Sequence, residues 1–292
     1  MSDRKTAVSQ RLAVRKTYKL FIGGAFPRSE SGRSYPVHGH GGELLGYAAQ
    51  ASRKDLRDAV VAARAAFTGW SGATAYNRGQ VLYRVAEMLE GRAAQFAAGL
   101  CAAEGLAAGQ AEACVAAAID RWVWYAGWSD KITQVAGAAN PVAGPYFNFS
   151  VPEPTGVVVV LAPAHSSLLG LVSVLAPVIV TGNAAVVVAS EHRPLPAVVL
   201  AEVLATSDVP AGAVNVLTGR GAELFGVAAS HMDVNAIDLT GAAAFDRAEL
   251  EQAAAANVKR VFYRDEDWAA APGIRRMLSF LEIKTVWHPA GI

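Results

Sequence analysis

The chain has 292 residues, 17% of them charged, and a formal net charge of +1 at pH 7. A balance so close to neutral provides no field to gather nucleic acid or an anionic membrane, and no run of about 18 uninterrupted apolar residues offers a membrane span. The charged share lies below the roughly 25% usual for soluble domains, which points to surface meant to be covered by something else.

Residues 1–16 carry several Lys and Arg with little apolar pattern and are expected to be a disordered tail. No secretory apolar region follows those charges. From Tyr18 to Val37 the pattern predicts two short strands around a Gly23–Gly24 turn. Ser52 and Asp55 stand at capping-box spacing and open a helix with apolar periodicity. Further helices are expected over Asn77–Arg92, around Phe96–Ala103 and over Gln110–Ile132. On the last of these, Ile119, Trp122, Val123 and Ala126 fall on one face, and Trp122, Trp124 and Trp128 read as packing. Cys101 and Cys114 sit in Ala-rich helical sequence and read as buried thiols of a reducing, cytoplasmic compartment.

The stretch Asn140–Gly156, "NPVAGPYFNFSVPEPTG", switches to alternation and proline, the mark of an extended arm or hairpin. Strand-like runs follow at Val157–Leu161, Val186–Val188, Val214–Leu217, Ala236–Leu239 and Val261–Tyr263, with amphipathic segments between them. That alternation predicts a parallel sheet with helices on both faces. After Tyr263–Gly273, "YRDEDWAAAPG", it stops, and one further strand-like segment runs over Ser279–Trp287.

The segments "KLFIGGAFPRSESGRSYPV", "AAIDRWVWYAGWSDKI", "FNFSVPEPTGVV", "LAPVIVTGNAAVV", "VPAGAVNVLTGRG", "SHMDVNAIDLTG" and "LEIKTVW", in this order, resemble the NAD(P)-dependent aldehyde dehydrogenase superfamily. The likeness is closest to the shortened second copy of two-copy members. It implies an α/β fold: a Rossmann-like parallel sheet with N-terminal helices packed on it, plus a β-arm, or oligomerisation flap, completed by the C-terminal strand. The implied division is 17–132 for the N-terminal helical part and 133–153 for the arm hairpin. Residues 154–265 form the Rossmann-like part, 266–277 a linker replacing the catalytic domain, and 278–292 the terminal arm strand. Tyr146, Phe147, Phe149, Leu281, Ile283, Val286 and Trp287 are the assembly residues that the resemblance implies.

Checked residue by residue, the family's chemistry is eroded. The reaction needs a thiolate to attack the carbonyl, and no cysteine follows Cys114. The oxyanion donor of a "P-W-N-F" segment corresponds to His165 of Pro163–Ala164–His165–Ser166. The deacylation base corresponds to Arg264, which cannot accept a proton. The adenosine-ribose lysine corresponds to Val188, although Glu191 remains as the ribose acid. In the pyrophosphate turn Thr240 and Gly241 remain, but Ala242 replaces the serine and Asp246 stands at a glycine position. Glu191, Thr240 and Gly241 are thus vestigial cofactor-binding residues, and neither NAD nor NADP is expected to bind tightly. No catalytic residue is assigned. No metal is expected at His38 and His40, which lack further ligands at suitable spacing, and His165–Ser166–Ser167 lacks a nucleophile elbow.

The implied role is a catalytically silent structural or regulatory subunit, in a hetero-oligomer with a full-length aldehyde dehydrogenase. Two alternatives stand beside it: an active dehydrogenase completed by another chain, and a nucleotide-sensing module.

Overall fold

The computed structural model describes residues 14–291, so most of the tail expected over residues 1–16 lies outside the described residues. Strands β1 (Thr17–Tyr18), β2 (Ser34–His38) and β3 (Leu44–Ala49) form a small sheet in the order β1-β3-β2. The Gly23–Gly24 turn is present, and both glycines hold positive φ. Its flanks, however, do not build the expected two-stranded unit. Ile22 and Ala25 pair across it and Leu20 N–H reaches the Pro27 carbonyl at 3.1 Å, but Phe21 turns away to bridge Val216 at the edge of the main sheet. Burial of Phe21, which is 4% exposed, outweighs local hairpin pairing.

Helix α1 (Arg53–Gly72) begins with the expected capping box, in which the Ser52 hydroxyl accepts from Asp55 N–H and Asp55 accepts from Ser52 N–H. Trp70 then donates its indole N–H to the carbonyl of Ile179 at 2.9 Å, which ties α1 to a helix far along the chain. Helices α2 (Ala75–Glu90), α3 (Ala93–Glu104) and α4 (Ala108–Ala126) follow. The helix expected over Gln110–Ile132 stops at Gly127, and a short α5 (Ile132–Ala136) follows the turn. The buried face of α4 is also rotated from the expected one. It runs through Ala118, Arg121, Trp122 and Tyr125, and leaves Val123 39% exposed.

Strands β4 (Ala138–Asn140) and β5 (Tyr146–Pro154) precede the main sheet. That sheet consists of β6 (Val157–Leu161), β7 (Ala184–Val188), β8 (Val214–Leu217), β9 (Ala236–Asp238) and β10 (Arg260–Phe262). Its order is β10-β9-β6-β7-β8, with every pairing parallel. Burial on both faces explains the continuous apolar β-branched runs of β6 and β7. Along β6 the side chains alternate. Val158 and Val160 join the core beneath α2, α4, α6 (Leu169–Val180) and α7 (Leu195–Leu204), whereas Val157, Val159 and Leu161 join that of α1 and α8 (Gly221–Ser230). Helix α6 is buried all round, which is why its sequence shows no polar face.

After α9 (Arg247–Ala255) and β10, the chain reaches α10 (Arg275–Ser279) and β11 (Leu281–Pro289). Residues 266–277 are not a plain linker. Arg276 and Met277 are buried at their end, Met277 with no exposed surface. Strand β11 pairs antiparallel with β5 from Leu281–Pro154 to Pro289–Tyr146, and gives a three-stranded sheet in the order β11-β5-β4. Leu281, expected on an assembly surface, instead enters the main core at 5% exposure. The strand leaves the body there, so its first residue packs inward. Among the described residues no helix is long and apolar enough to cross a membrane.

Candidate functional site

Strand order reverses between β6 and β9, so the carboxyl ends of these strands flank the crevice in which open α/β sheets bind ligands. A cavity of about 340 Å³ lies there. Its walls include Pro163–His165 after β6, Ser190–His192 after β7, Thr240, Gly241 and Ala243–Phe245 after β9, and Tyr263–Asp265 with Trp268 after β10. The structure therefore brings Glu191, Thr240 and Gly241 together around one crevice.

Each of them already has a partner or a packing role within the chain. Glu191 accepts a hydrogen bond from Arg220 at 2.7 Å and another from Gly221 N–H, the first residue of α8, at 2.9 Å. Burial alone would push the Glu191 pKa up, but the Arg220 and Gly221 hydrogen bonds hold it below the ordinary carboxylate value. Arg220 also lies 4.8 Å over the ring of Tyr35, a cation–π contact that fixes it beside Glu191.

The Thr240 hydroxyl donates to Asp238 Oδ1 at 2.5 Å, and its N–H donates to the same oxygen at 3.0 Å. Asp238 is fully buried and is also bound by Arg276 Nη1. Gly241 has a packing role, since a Cβ there would sit 2.1 Å from the carbonyl oxygen of Ala162. Gly241→Ala is accordingly expected to destabilise the protein by about 1–3 kcal/mol, because backbone cannot yield to the added methyl. Gly226→Ala, where a Cβ meets nothing within 4 Å, should be neutral or stabilising. Urea denaturation of the two variants checks both signs.

The substituted positions continue this pattern. Val188 and Ala242 are buried in the apolar core under the crevice. Asp246 accepts from Ala248 N–H at 2.9 Å and Glu249 N–H at 3.2 Å, capping α9. A carboxylate of the chain itself thus stands at a helix N-terminus, the place that would favour a phosphate. Phe245 packs against Phe225 with ring centroids 4.6 Å apart and narrows the same wall.

The reaction-side positions are no better provided. His165 lies 3.4 Å from Arg193, and Arg264 pairs with Glu266 at 3.7 Å. Cys101 and Cys114 are free thiols, half-buried rather than buried, and neither lines this crevice. Burial pushes the Cys114 pKa up, which disfavours its thiolate. His38 bonds the carbonyl of Gly42, and among the described residues no cluster of three His, Cys, Asp or Glu could hold a metal.

Sequence reasoning missed Arg220, Asp238, Arg121 and Arg276. The available signal was a charge inside an apolar run, as in "NAIDLTG", because a buried charge requires a partner.

Comparison with known proteins agrees with this fold. Residues 27–264 match the aldehyde dehydrogenase family. The chain is 33% identical to retinal dehydrogenase 2 of Homo sapiens over 255 residues, covering 84% of this chain and 48% of that protein. It is 32% identical to an aldehyde dehydrogenase of Davidiella tassiana, covering 83% of this chain and 49% of that one. Among solved structures, HpcC from Thermus thermophilus superposes with a TM-score of 0.78 at 29% identity, covering 85% of this chain and 48% of that chain. PnpE in complex with nicotinamide adenine dinucleotide gives 0.78 at 28% identity, with 84% and 50% covered. The chain therefore spans about half the length of the relatives it matches. It belongs to the aldehyde dehydrogenase family.

Proposed function

We propose that this chain is a catalytically silent aldehyde dehydrogenase homologue. In this reading it serves as a structural or regulatory subunit of a complex with a full-length aldehyde dehydrogenase in the reducing cytosol. The observation that carries the reading is the internal use of the crevice, Glu191 by Arg220 and Gly221 and Thr240 by Asp238, and of the adjoining α9 N-terminus by Asp246. The residues present do not fit NAD or NADP. A dinucleotide would have to displace these contacts while finding Val188 and Ala242 where a lysine and a serine would receive it. The nucleotide-sensing alternative would rest on the same Glu191 and Thr240.

The purified chain, assayed with short aliphatic and aromatic aldehydes, is expected to form no NADH or NADPH. Turnover that disappears in Cys101→Ala or Cys114→Ala would overturn the silent reading.

Calorimetric titration should find NAD affinity weaker than millimolar, since each missing hydrogen bond or charge contact removes roughly 1–3 kcal/mol. The triple substitution V188K/A242S/D246G is expected to tighten NAD binding at least tenfold. Micromolar binding by the unmodified chain would contradict the argument.

A further inference from the structure

The segment between β10 and α10 is longer than its ends require. The Arg276 guanidinium lies 4.4 Å over the ring of Phe262, and Phe280 approaches the same ring at 6.0 Å. A short turn would join elements already in contact. Instead residues 263–274 run out and back as a closed loop with no helix or strand of its own, the form of a compact Ω-loop.

Little apolar packing holds the middle of this loop down. Trp268 and, at its end, Ile274 pack against the main core, while Ala269, Ala270 and Ala271 are exposed. Its backbone is held by side chains of α4. Arg121 donates from Nη2 to the carbonyls of Trp268 at 3.0 Å and Ala270 at 2.9 Å, while its Nη1 is fixed on Ser173 at 2.7 Å. Tyr125 reaches the Gly273 carbonyl at 3.4 Å, and Glu266 lies 3.3 Å from Arg276 Nη2.

The loop separates two spaces. On one side Tyr263, Arg264, Asp265 and Trp268 line the crevice. On the other lies a polar cavity of about 350 Å³, lined by Arg121, Ser173, Glu266 and Arg276. Arg264 and Asp265 border both. A segment resting on a few polar ties above a cavity opens more readily than one packed on a core.

We propose that residues 263–274 are a strap closing one wall of the crevice, held shut by Arg121 through the carbonyls of Trp268 and Ala270, and by Arg276 through Glu266. When it opens, the crevice and the polar cavity become one space lined by Trp268, Phe225 and Phe245.

Hydrogen exchange on the full chain tests this, with 1-anilinonaphthalene-8-sulfonate as an apolar probe of the opened space. Arg121→Leu is expected to speed exchange at least tenfold at Ala269 and Ala270, the strap amides that are hydrogen-bonded to Asp267, and to raise probe fluorescence at least twofold, with β6 and β7 unchanged. Glu266→Gln should shift both readouts in the same direction by less. Should Arg121→Leu fail to fold, Arg121→Lys, which keeps the charge but not the fork, decides together with Glu266→Gln. Strap exchange unchanged in the folded variants, or strap and β6 accelerating together, would overturn the proposal.

Discussion

Arg276→Met is expected to lower folding stability by about 3–5 kcal/mol, the cost of leaving a buried charge without its partner. The side chains of Arg276 and Asp238 are 3% and 0% exposed, so no water can replace the lost guanidinium. Burial by itself would weaken protonation of Arg276, but Asp238 and Glu266 hold its pKa above the ordinary value. Asp238 keeps Thr240 Oγ1 and Thr240 N–H as donors after the change, yet two neutral donors do not balance a buried carboxylate. Met fills most of the volume and preserves contact with Phe262, which separates the charge effect from a cavity effect. The double variant D238N/R276M removes both charges and should recover more than half of the loss. Urea denaturation of the three proteins measures this, and a single variant within about 1 kcal/mol of the parent would show that the pair is not fully desolvated.

Much of the scaffold was legible because its signal is local. The runs at Val157–Leu161 and Val214–Leu217 became strands over those same residues, since an apolar β-branched run has one good use in a two-faced sheet. The capping box of α1 was readable for a similar reason: Ser52 and Asp55 satisfy each other within one turn. The eroded positions Val188, Ala242 and Asp246 were readable only by resemblance, and their present roles were not. Asp246 is a helix cap because α9 begins immediately after it. Arg220, Asp238 and Arg276 stayed hidden because their contacts are tertiary. Arg276 and Asp238 are separated by 38 positions, and Arg121 holds carbonyls 147 and 149 positions away. The rotated face of α4 has the same origin, since periodicity finds an apolar stripe but cannot place a buried arginine at its centre. Leu281 illustrates the limit at a boundary, where a strand that leaves the body begins inside the core.

In the proposed complex the β11-β5-β4 ribbon is the docking surface, and its register says which side chains it would offer. Ile283 stands opposite Pro152 and Trp287 opposite Asn148, so both project from one face of the ribbon. Tyr146 adds its ring to that face, 5.8 Å from Trp287, and these three residues are 55%, 58% and 46% exposed in the order Ile283, Trp287, Tyr146. Phe147, Phe149 and Val286 occupy the other face, where Phe149 and Val286 are directly paired. A three-stranded ribbon with apolar side chains on both faces and, among the described residues, an unpaired outer edge on β11 is a surface that proteins normally cover. In the proposed complex the cover is a full-length aldehyde dehydrogenase. I283E/W287E is therefore expected to reduce capture of coexpressed dehydrogenase at least a hundredfold, since two central apolar anchors contribute about 2 kcal/mol or more each. Tyr83→Glu, at a residue 50% exposed on α2, is the control and should leave capture unchanged. Cutting the chain before Ser279 is a poor test, because it also removes Phe280 and Leu281 from the core. Ending the chain after Glu282, which keeps its ion pair with Arg260 of β10, removes the projecting strand and should abolish capture while circular dichroism and thermal unfolding of the body persist. Light scattering showing a stable monomer that captures no dehydrogenase, or capture that survives both changes, would mean that the arm does not dock on such a partner.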